Sequence, residues 1–291
     1  YAAALETLAE GMDLGGAAPR PGTVALVGYL MDRNEGEHRG NLLELRRMIR
    51  ALGLEPVSIW LSGRPYEDLR AVRHAEAIVS LPHGRKAAKV LAARLGVKLV
   101  SAELPFGLEG SRRFLERIGR ELDRGEEAAA FIASELDEAA PRLEWSVPHA
   151  FMHRSFAFAG DPHYAAAFAG LIEEVGGTVA ATIVMGGAGH LGEADRRALD
   201  ARPGTMYEPD RGSLRRSFAQ ATGGDADLLV CNSLALKYIN PSIPWLEFGF
   251  PSEHTHFLHD DPFLGFKGAL SLFSRMANEV VKGLRAKGAA R

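Results

Sequence analysis

The sequence predicts an α/β protein of two tandem doubly wound parallel-sheet, Rossmann-like domains, joined by a helical linker and closed by a C-terminal helix. Three observations lead there. Short, continuous apolar runs alternate with amphipathic helical segments up to about residue 124. The alternation stops over an alanine-rich, charged stretch at 125–144, and it restarts at Ser155. Strands of a parallel sheet read as unbroken apolar runs because helices cover both of its faces.

Ala2 to Met12 fits a short helix, ended by Gly15-Gly16 with Pro19 and Pro21. Val24 to Val27 is a buried-type strand with Gly28 at its end. Asn41 to Leu52 is a helix with Leu42, Leu45, Ile49 and Leu52 on one face, capped by Gly53. Strand Val57–Leu61, helix Tyr66–His74 and strand Ala77–Leu81 follow. Helix Arg85–Leu95 closes at Gly96, and strand Lys98–Ala102 precedes helix Ser111–Leu122. Residues 125–144 suit a connecting helix broken near Pro141. In the second half, strand Ser155–Ala159, helix Pro162–Val175 and strand Thr178–Met185 repeat the pattern. Helices Glu193–Leu199 and Ser213–Ala219 and strands Asp227–Val230 and Trp245–Phe248 come next. A His- and Pro-rich loop spans 249–264, and helix Gly268–Leu284 closes the chain. The expected division is an N-terminal helix and lead-in (1–20), a first α/β domain (21–124), a linker (125–150) and a second α/β domain (151–291).

The composition is ordinary for a globular protein, with 46% hydrophobic and 24% charged residues over 291. A net charge of −3 offers no electrostatic footprint for nucleic acid. No apolar run approaches the roughly 18–20 residues a membrane span requires. Tyr1 to Asp13 lacks the basic and apolar regions of a signal peptide. The single cysteine, Cys231, excludes an internal disulfide framework and a four-cysteine cluster site within this chain, which points to a reducing, cytoplasmic setting.

Ligands of open parallel sheets sit beyond the carboxyl ends of the strands. That rule selects Tyr29, His83, Asp161, His163, Cys231 and the loop that carries His254. For each, a plainer role stands beside the functional one. Asp161 suits a cap for the helix that opens at Pro162, and Cys231 suits an inert core thiol. His254, His256 and His259, with Asp260 and Asp261, offer zinc-type ligands, but at a spacing that matches no standard motif. Gly187-Ala188-Gly189-His190-Leu191-Gly192 has the form of a dinucleotide loop, with Glu208 or Asp210 near the place of a ribose-binding acid. It follows the second strand of its domain rather than the first, and the next segment is short and charged, so no NAD is expected.

The tail carries the strongest signal. Pro244-Trp245-Leu246-Glu247-Phe248-Gly249-Phe250-Pro251, then His254-Thr255-His256, then Leu264-Gly265-Phe266-Lys267-Gly268-Ala269, resembles the closing signature of nitrogenase component 1-type oxidoreductases. Asp227 to Ser233, Gly160-Asp161-Pro162 and Pro105 to Gly110 resemble the family's earlier segments in the same order. That family includes molybdenum–iron protein subunits, their assembly homologues, and nitrogenase-like reductases such as light-independent protochlorophyllide reductase.

The resemblance implies a subunit that pairs with a homologous or identical component 1 subunit. It implies electrons delivered by an ATP-dependent iron–sulfur reductase protein, through an interface iron–sulfur cluster, to a substrate in the inter-domain cleft. Asp161 and His163 would then serve protonation, and Tyr29, His83, Cys231 and His254 would contact cofactor or substrate. The cluster ligands belong to an N-terminal domain that has no counterpart in this chain. The family's anchors for the molybdenum cofactor are also missing: Ile78 to Pro82 holds no cysteine, and Leu264 stands where the histidine is expected. A cofactor-assembly scaffold, or a metal- or tetrapyrrole-binding protein without redox chemistry, is the alternative.

Overall fold

The computed structural model describes residues 1–29, 36–256 and 258–289. These form two compact units that part between Asp137 and Glu138, with Asp260–Gly265 returning to the first.

In the first unit, α1 (Ala2–Gly11) leads to β1 (Arg20–Val27), α2 (His38–Ala51), β2 (Glu55–Ile59) and α3 (Tyr66–Arg70), which a 3-10 turn at Ala71–His74 extends. Then come β3 (Ala75–Ser80), α4 (Arg85–Leu95), β4 (Lys98–Ser101), α5 (Gly107–Glu121) and α6 (Gly125–Glu144). The sheet is parallel in the order β2-β1-β3-β4. Ala25, Val27 and Ile78 from its centre pack with Leu5 and Ala9 of α1 and Ala88 and Leu91 of α4. Unbroken burial from Val24 to Val27 explains why this strand carries no polar alternation.

Two side-chain arrangements hold α2 in place. Arg47 donates to Glu44 at 2.7 Å and to both oxygens of Glu135 on α6 at 2.7 and 2.6 Å, with its guanidinium 5.0 Å from the Phe131 ring centroid. On another part of the helix, Asn41 Oδ1 accepts the backbone N–H groups of Phe263 and Leu264 at 2.7 and 2.9 Å. The returning segment therefore lies along α2. Gly265 is required there: its φ is +76°, and a Cβ would stand 2.4 Å from Glu44 Cγ.

The second unit contains β5 (Ser155–Gly160), α7 (Pro162–Glu173), β6 (Thr178–Val184), α8 (Glu193–Asp200), β7 (Thr205–Tyr207) and α9 (Leu214–Thr222). β8 (Leu228–Cys231), α10 (Ser233–Ile239), β9 (Trp245–Glu247) and α11 (Gly265–Ala289) complete it. This sheet is also parallel, in the order β7-β6-β5-β8-β9. Phe151 stacks on Phe156 and meets Phe273 of α11 edge-on.

Several element starts shift by a few residues, as at β1, α2 and α5, and four further details differ from the sequence reading. β7 is an additional edge strand, half-buried along its three residues and so without an apolar run. α10 is an additional helix of seven residues, too short for a helical period to stand out. α11 begins three residues earlier than expected, at Gly265. The connecting helix is not broken at Pro141 but runs on to Glu144, followed by a π-helical turn at Val147–Phe151. Proline lacks the N–H that would reach the carbonyl four residues back, at Asp137, and that single loss does not end the helix. Among the described residues no helix is long and apolar enough to cross a membrane.

Candidate functional site

Each sheet has one point where the strand order reverses, and ligands of doubly wound folds gather there. In the first unit β1 leads outward to β2, after which the chain crosses to β3 on the other side of β1. In the second, β5 leads to β6 and β7, and the chain crosses to β8. Five of the six residues chosen from sequence fall at these two places, Tyr29 and His83 in one unit and Asp161, His163 and Cys231 in the other, while His254 lies on the loop after β9.

At the first switch point β1 and the turn after β3 meet backbone to backbone. Gly28, with φ of +102°, leaves no room for a side chain, since a Cβ would lie 2.3 Å from Gly84 N and 2.4 Å from Leu81 O. Leu81 N donates to Val27 O at 2.8 Å, which fixes the turn. Tyr29 is buried. Its hydroxyl stands 3.1 Å from His38 Nδ1, the two rings stack at 5.6 Å, and Asn41 Nδ2 donates to the same hydroxyl at 3.4 Å. Tyr1 joins the two predicted residues: its hydroxyl donates to Tyr29 O at 2.7 Å, and its ring meets the half-buried His83 edge-on at 6.3 Å. His38 and Asn41 were not selected from sequence. Polar residues at a helix start read as surface, and only the fold shows them turned onto a tyrosine.

At the second switch point, Asp161 Oδ1 accepts from His163 N at 2.9 Å and caps α7. This is the plainer of its two expected roles. His163 follows on the first turn, half-buried. Cys231 lies fully buried within the apolar cluster of Ala157, Ala159, Ile183 and Leu229. Burial pushes its thiol well above the ordinary value, and the nearby Glu247 carboxylate adds to the shift. A thiol held neutral in an apolar core is a poor metal ligand, so the structure places Cys231 with the core residues rather than with ligands.

Next to it lies a polar assembly absent from the sequence reading. Asn232 caps α10 through Oδ1, which accepts Ala235 N at 2.8 Å, while its Nδ2 donates to Phe250 O at 2.8 Å. Glu247, at the end of β9, is only 2% exposed. Its carboxylate accepts from the Ser233 hydroxyl and from three consecutive backbone N–H groups: Glu253 at 2.9 Å, His254 at 3.0 Å and Thr255 at 2.5 Å. Burial alone would raise its pKa, but these donors outweigh burial and hold it below the usual value near 4.5. Glu247 thus shapes the loop that presents His254, whose exposed ring meets Trp245 edge-on at 6.2 Å.

Ala188 N, inside the glycine-rich stretch, donates to Glu208 Oε1 at 3.1 Å, so a carboxylate of the chain itself already satisfies an amide that a pyrophosphate would need. His254, His256 and His259 do not converge on a common centre. Among the described residues no group of three or more His, Cys, Asp or Glu side chains is placed to hold a metal ion.

Comparison with known proteins agrees with the fold. A family model described as nitrogenase component 1 type oxidoreductase matches residues 1–281. The chain is 25% identical over 272 residues to the nitrogenase molybdenum-iron protein beta chain of Frankia alni, covering 83% of this chain and 49% of that one. It is 27% identical over 290 residues to a subunit of the light-independent protochlorophyllide reductase of Methylobacterium radiotolerans, covering 93% and 51%. The chain spans about half the length of these curated relatives. A solved structure of nitrogenase Cp1 at pH 6.5 shares the fold, with a TM-score of 0.76 and 18% identity over 97% of this chain and 64% of that one. With the family model covering nearly its whole length and the two parallel sheets in place, the chain belongs to the nitrogenase component 1 type oxidoreductases.

Proposed function

We propose that this chain supplies the substrate-binding part of one subunit of a nitrogenase-like reductase. In this reading the assembly pairs it with a homologous or identical component 1 subunit, in a cytoplasmic setting. Electrons come from an ATP-dependent iron–sulfur reductase protein through an iron–sulfur cluster at a subunit interface. The observation that carries the reading is the family match across residues 1–281, supported by relatives among both nitrogenase and protochlorophyllide reductase subunits.

The residues of this chain do not themselves fit such a cluster. Its one cysteine is a buried core thiol, and among the described residues no other set of ligands is gathered. In this reading the cluster ligands lie elsewhere in the assembly. Ligation of a molybdenum cofactor is not proposed either. Leu264, fully buried, occupies the position where the family resemblance calls for a histidine, and Ser80 lies in the stretch where it calls for a cysteine. The roles left to this chain are binding and protonation. His163 and His83, half-buried at strand ends, are the proposed proton donors. Asp161 holds His163 in position through its cap, the exposed His254 offers a contact to substrate in the second unit, the buried Tyr29 backs the switch point of the first unit, and Cys231 serves the core.

The test is iron and acid-labile sulfide content, with the visible spectrum, of the protein purified anaerobically together with its partner subunit. Stoichiometric iron and sulfide are expected. A folded, partnered complex without iron would replace this reading with a cofactor-assembly scaffold or a metal- or tetrapyrrole-binding protein.

A further inference from the structure

β2 is the edge strand of the first sheet, and an open cavity of about 620 Å³ runs along it, bordered by α2 and by the segment leading into α3. That volume is in the range of small-molecule sites. Four arginines line it (Arg20, Arg39, Arg46 and Arg64), against two carboxylates, Glu55 and Asp68. Both carboxylates are already engaged. Arg50 holds Glu55 through two bonds, of 3.0 and 2.8 Å, and Arg64 holds Asp68 at 2.6 Å. Arg39 lies 3.2 Å from Asp260.

Arg46 differs from its neighbours. It is half-buried, its one hydrogen bond is a long 3.4 Å contact from Nη1 to Pro56 O, and among the described residues no carboxylate lies within ion-pair distance. Its guanidinium is held below its ordinary value by burial first, then by repulsion from Arg50 and Arg64, against the partial opposition of Glu55 and Asp68. Since arginine stays charged in proteins, the remaining way to relieve that position is an anion. Arg20, exposed at the start of β1, adds a second charge without an ion-pair partner among the described residues.

The cavity also has an apolar wall, which includes the exposed Leu43 and the half-buried Val57. Addition of a peptide strand to the β2 edge is disfavoured. Pro56 has no N–H to offer, and its carbonyl is taken by Arg46.

We propose that this cavity binds a small organic anion, a phosphate or carboxylate carried on an apolar body, with the free N–H groups of Arg46 gripping the acid group and Leu43 and Val57 contacting the body. The site belongs to one unit alone and is independent of the redox reading.

The experiment is calorimetric titration of the 291-residue protein with phenyl phosphate and with benzoate, inorganic phosphate serving as the reference. Saturable binding of one aryl anion, tighter than inorganic phosphate, is expected. Arg46→Met should weaken it by about tenfold or more, the size of a lost charge-assisted pair. Leu43→Glu, at an exposed position and so without consequence for folding, should weaken it similarly by placing a carboxylate at the rim. Arg215→Gln, on an exposed arginine of the second unit, should leave it unchanged. Preference for phenyl phosphate assigns a phosphoryl ligand, and preference for benzoate a carboxylate. Failure of both aryl anions to saturate overturns the proposal, as does binding that neither Arg46→Met nor Leu43→Glu weakens.

Discussion

Replacing Asn41 by alanine removes one acceptor shared by two consecutive buried amides. In the native chain its Oδ1 serves Phe263 N and Leu264 N, and the residue is only 4% exposed, so water cannot substitute. A buried amide deprived of its acceptor costs about 1–3 kcal/mol, so two should cost roughly 2–6 kcal/mol. The 3.4 Å contact to the Tyr29 hydroxyl adds little at that length. With a urea slope of about 3 kcal/mol per molar, the midpoint of the first unit should fall by roughly 0.7–2 M.

Trp60 is a suitable reporter, since it is fully buried in the first unit while Trp145 and Trp245 are exposed. Replacing both exposed tryptophans by phenylalanine isolates its fluorescence. Hydrogen exchange at residues 263 and 264 provides the local measure, and protection there should drop in parallel. Asn41→Asp, which keeps an acceptor for both amides, should lose less than Asn41→Ala. An unchanged Trp60 midpoint together with unchanged protection at 263 and 264 would refute the idea that this side chain ties the returning segment to α2.

Other perturbations test other parts of the structure. Gly28→Ala forces a Cβ against the backbone of Gly84 and Leu81 at a φ of +102°, and a loss of about 3 kcal/mol or more is expected by calorimetry; a variant that melts like the parent would contradict the close approach. Glu247→Gln should cost about 1.5–3 kcal/mol and speed exchange at residues 253–255. Because Glu247 has a folded-state pKa below its unfolded value, its contribution is complete above about 4.5 and is lost as pH falls through the depressed value. The parent should therefore lose its advantage over Glu247→Gln in acid, and parallel melting curves across that range would count against this. Cys231 should react with a disulfide reagent only in denaturant, given its full burial and raised pKa; labelling of the native protein at the rate of a free thiol would show the core assignment to be mistaken.

The parallel sheets were legible because their central strands are buried on both faces. Val24–Val27 and Leu228–Val230 each read as a solid apolar run, and in the structure each of these strands pairs on both sides. The strand ends were legible too, since Gly28, Leu81 and Gly160 mark them directly, whereas the strand order that makes switch points of them comes only from the fold. Glu247 could not be read this way. A glutamate inside the expected strand Trp245–Phe248 reads as a side chain turned to solvent, and its partners are Ser233, fourteen positions earlier, and a loop six to eight positions later. His38 and Asn41 were hidden for the same reason: their partners, Tyr29 and residues 263–264, are joined to them only by the fold. At Pro141 the local rule fails because a twenty-residue helix tolerates the loss of one hydrogen bond.

Glu247 also determines what a visiting molecule encounters at His254. The amides of residues 253–255 could have formed an anion-binding nest open to solvent, but the chain fills that nest with its own carboxylate. The loop is consequently ordered during folding rather than during association. Fixing three residues of backbone costs about 3–6 kcal/mol, equivalent to roughly a hundredfold or more in affinity. A partner or substrate that docks against Trp245 and His254 is spared that entropy and keeps the full benefit of the contacts it makes.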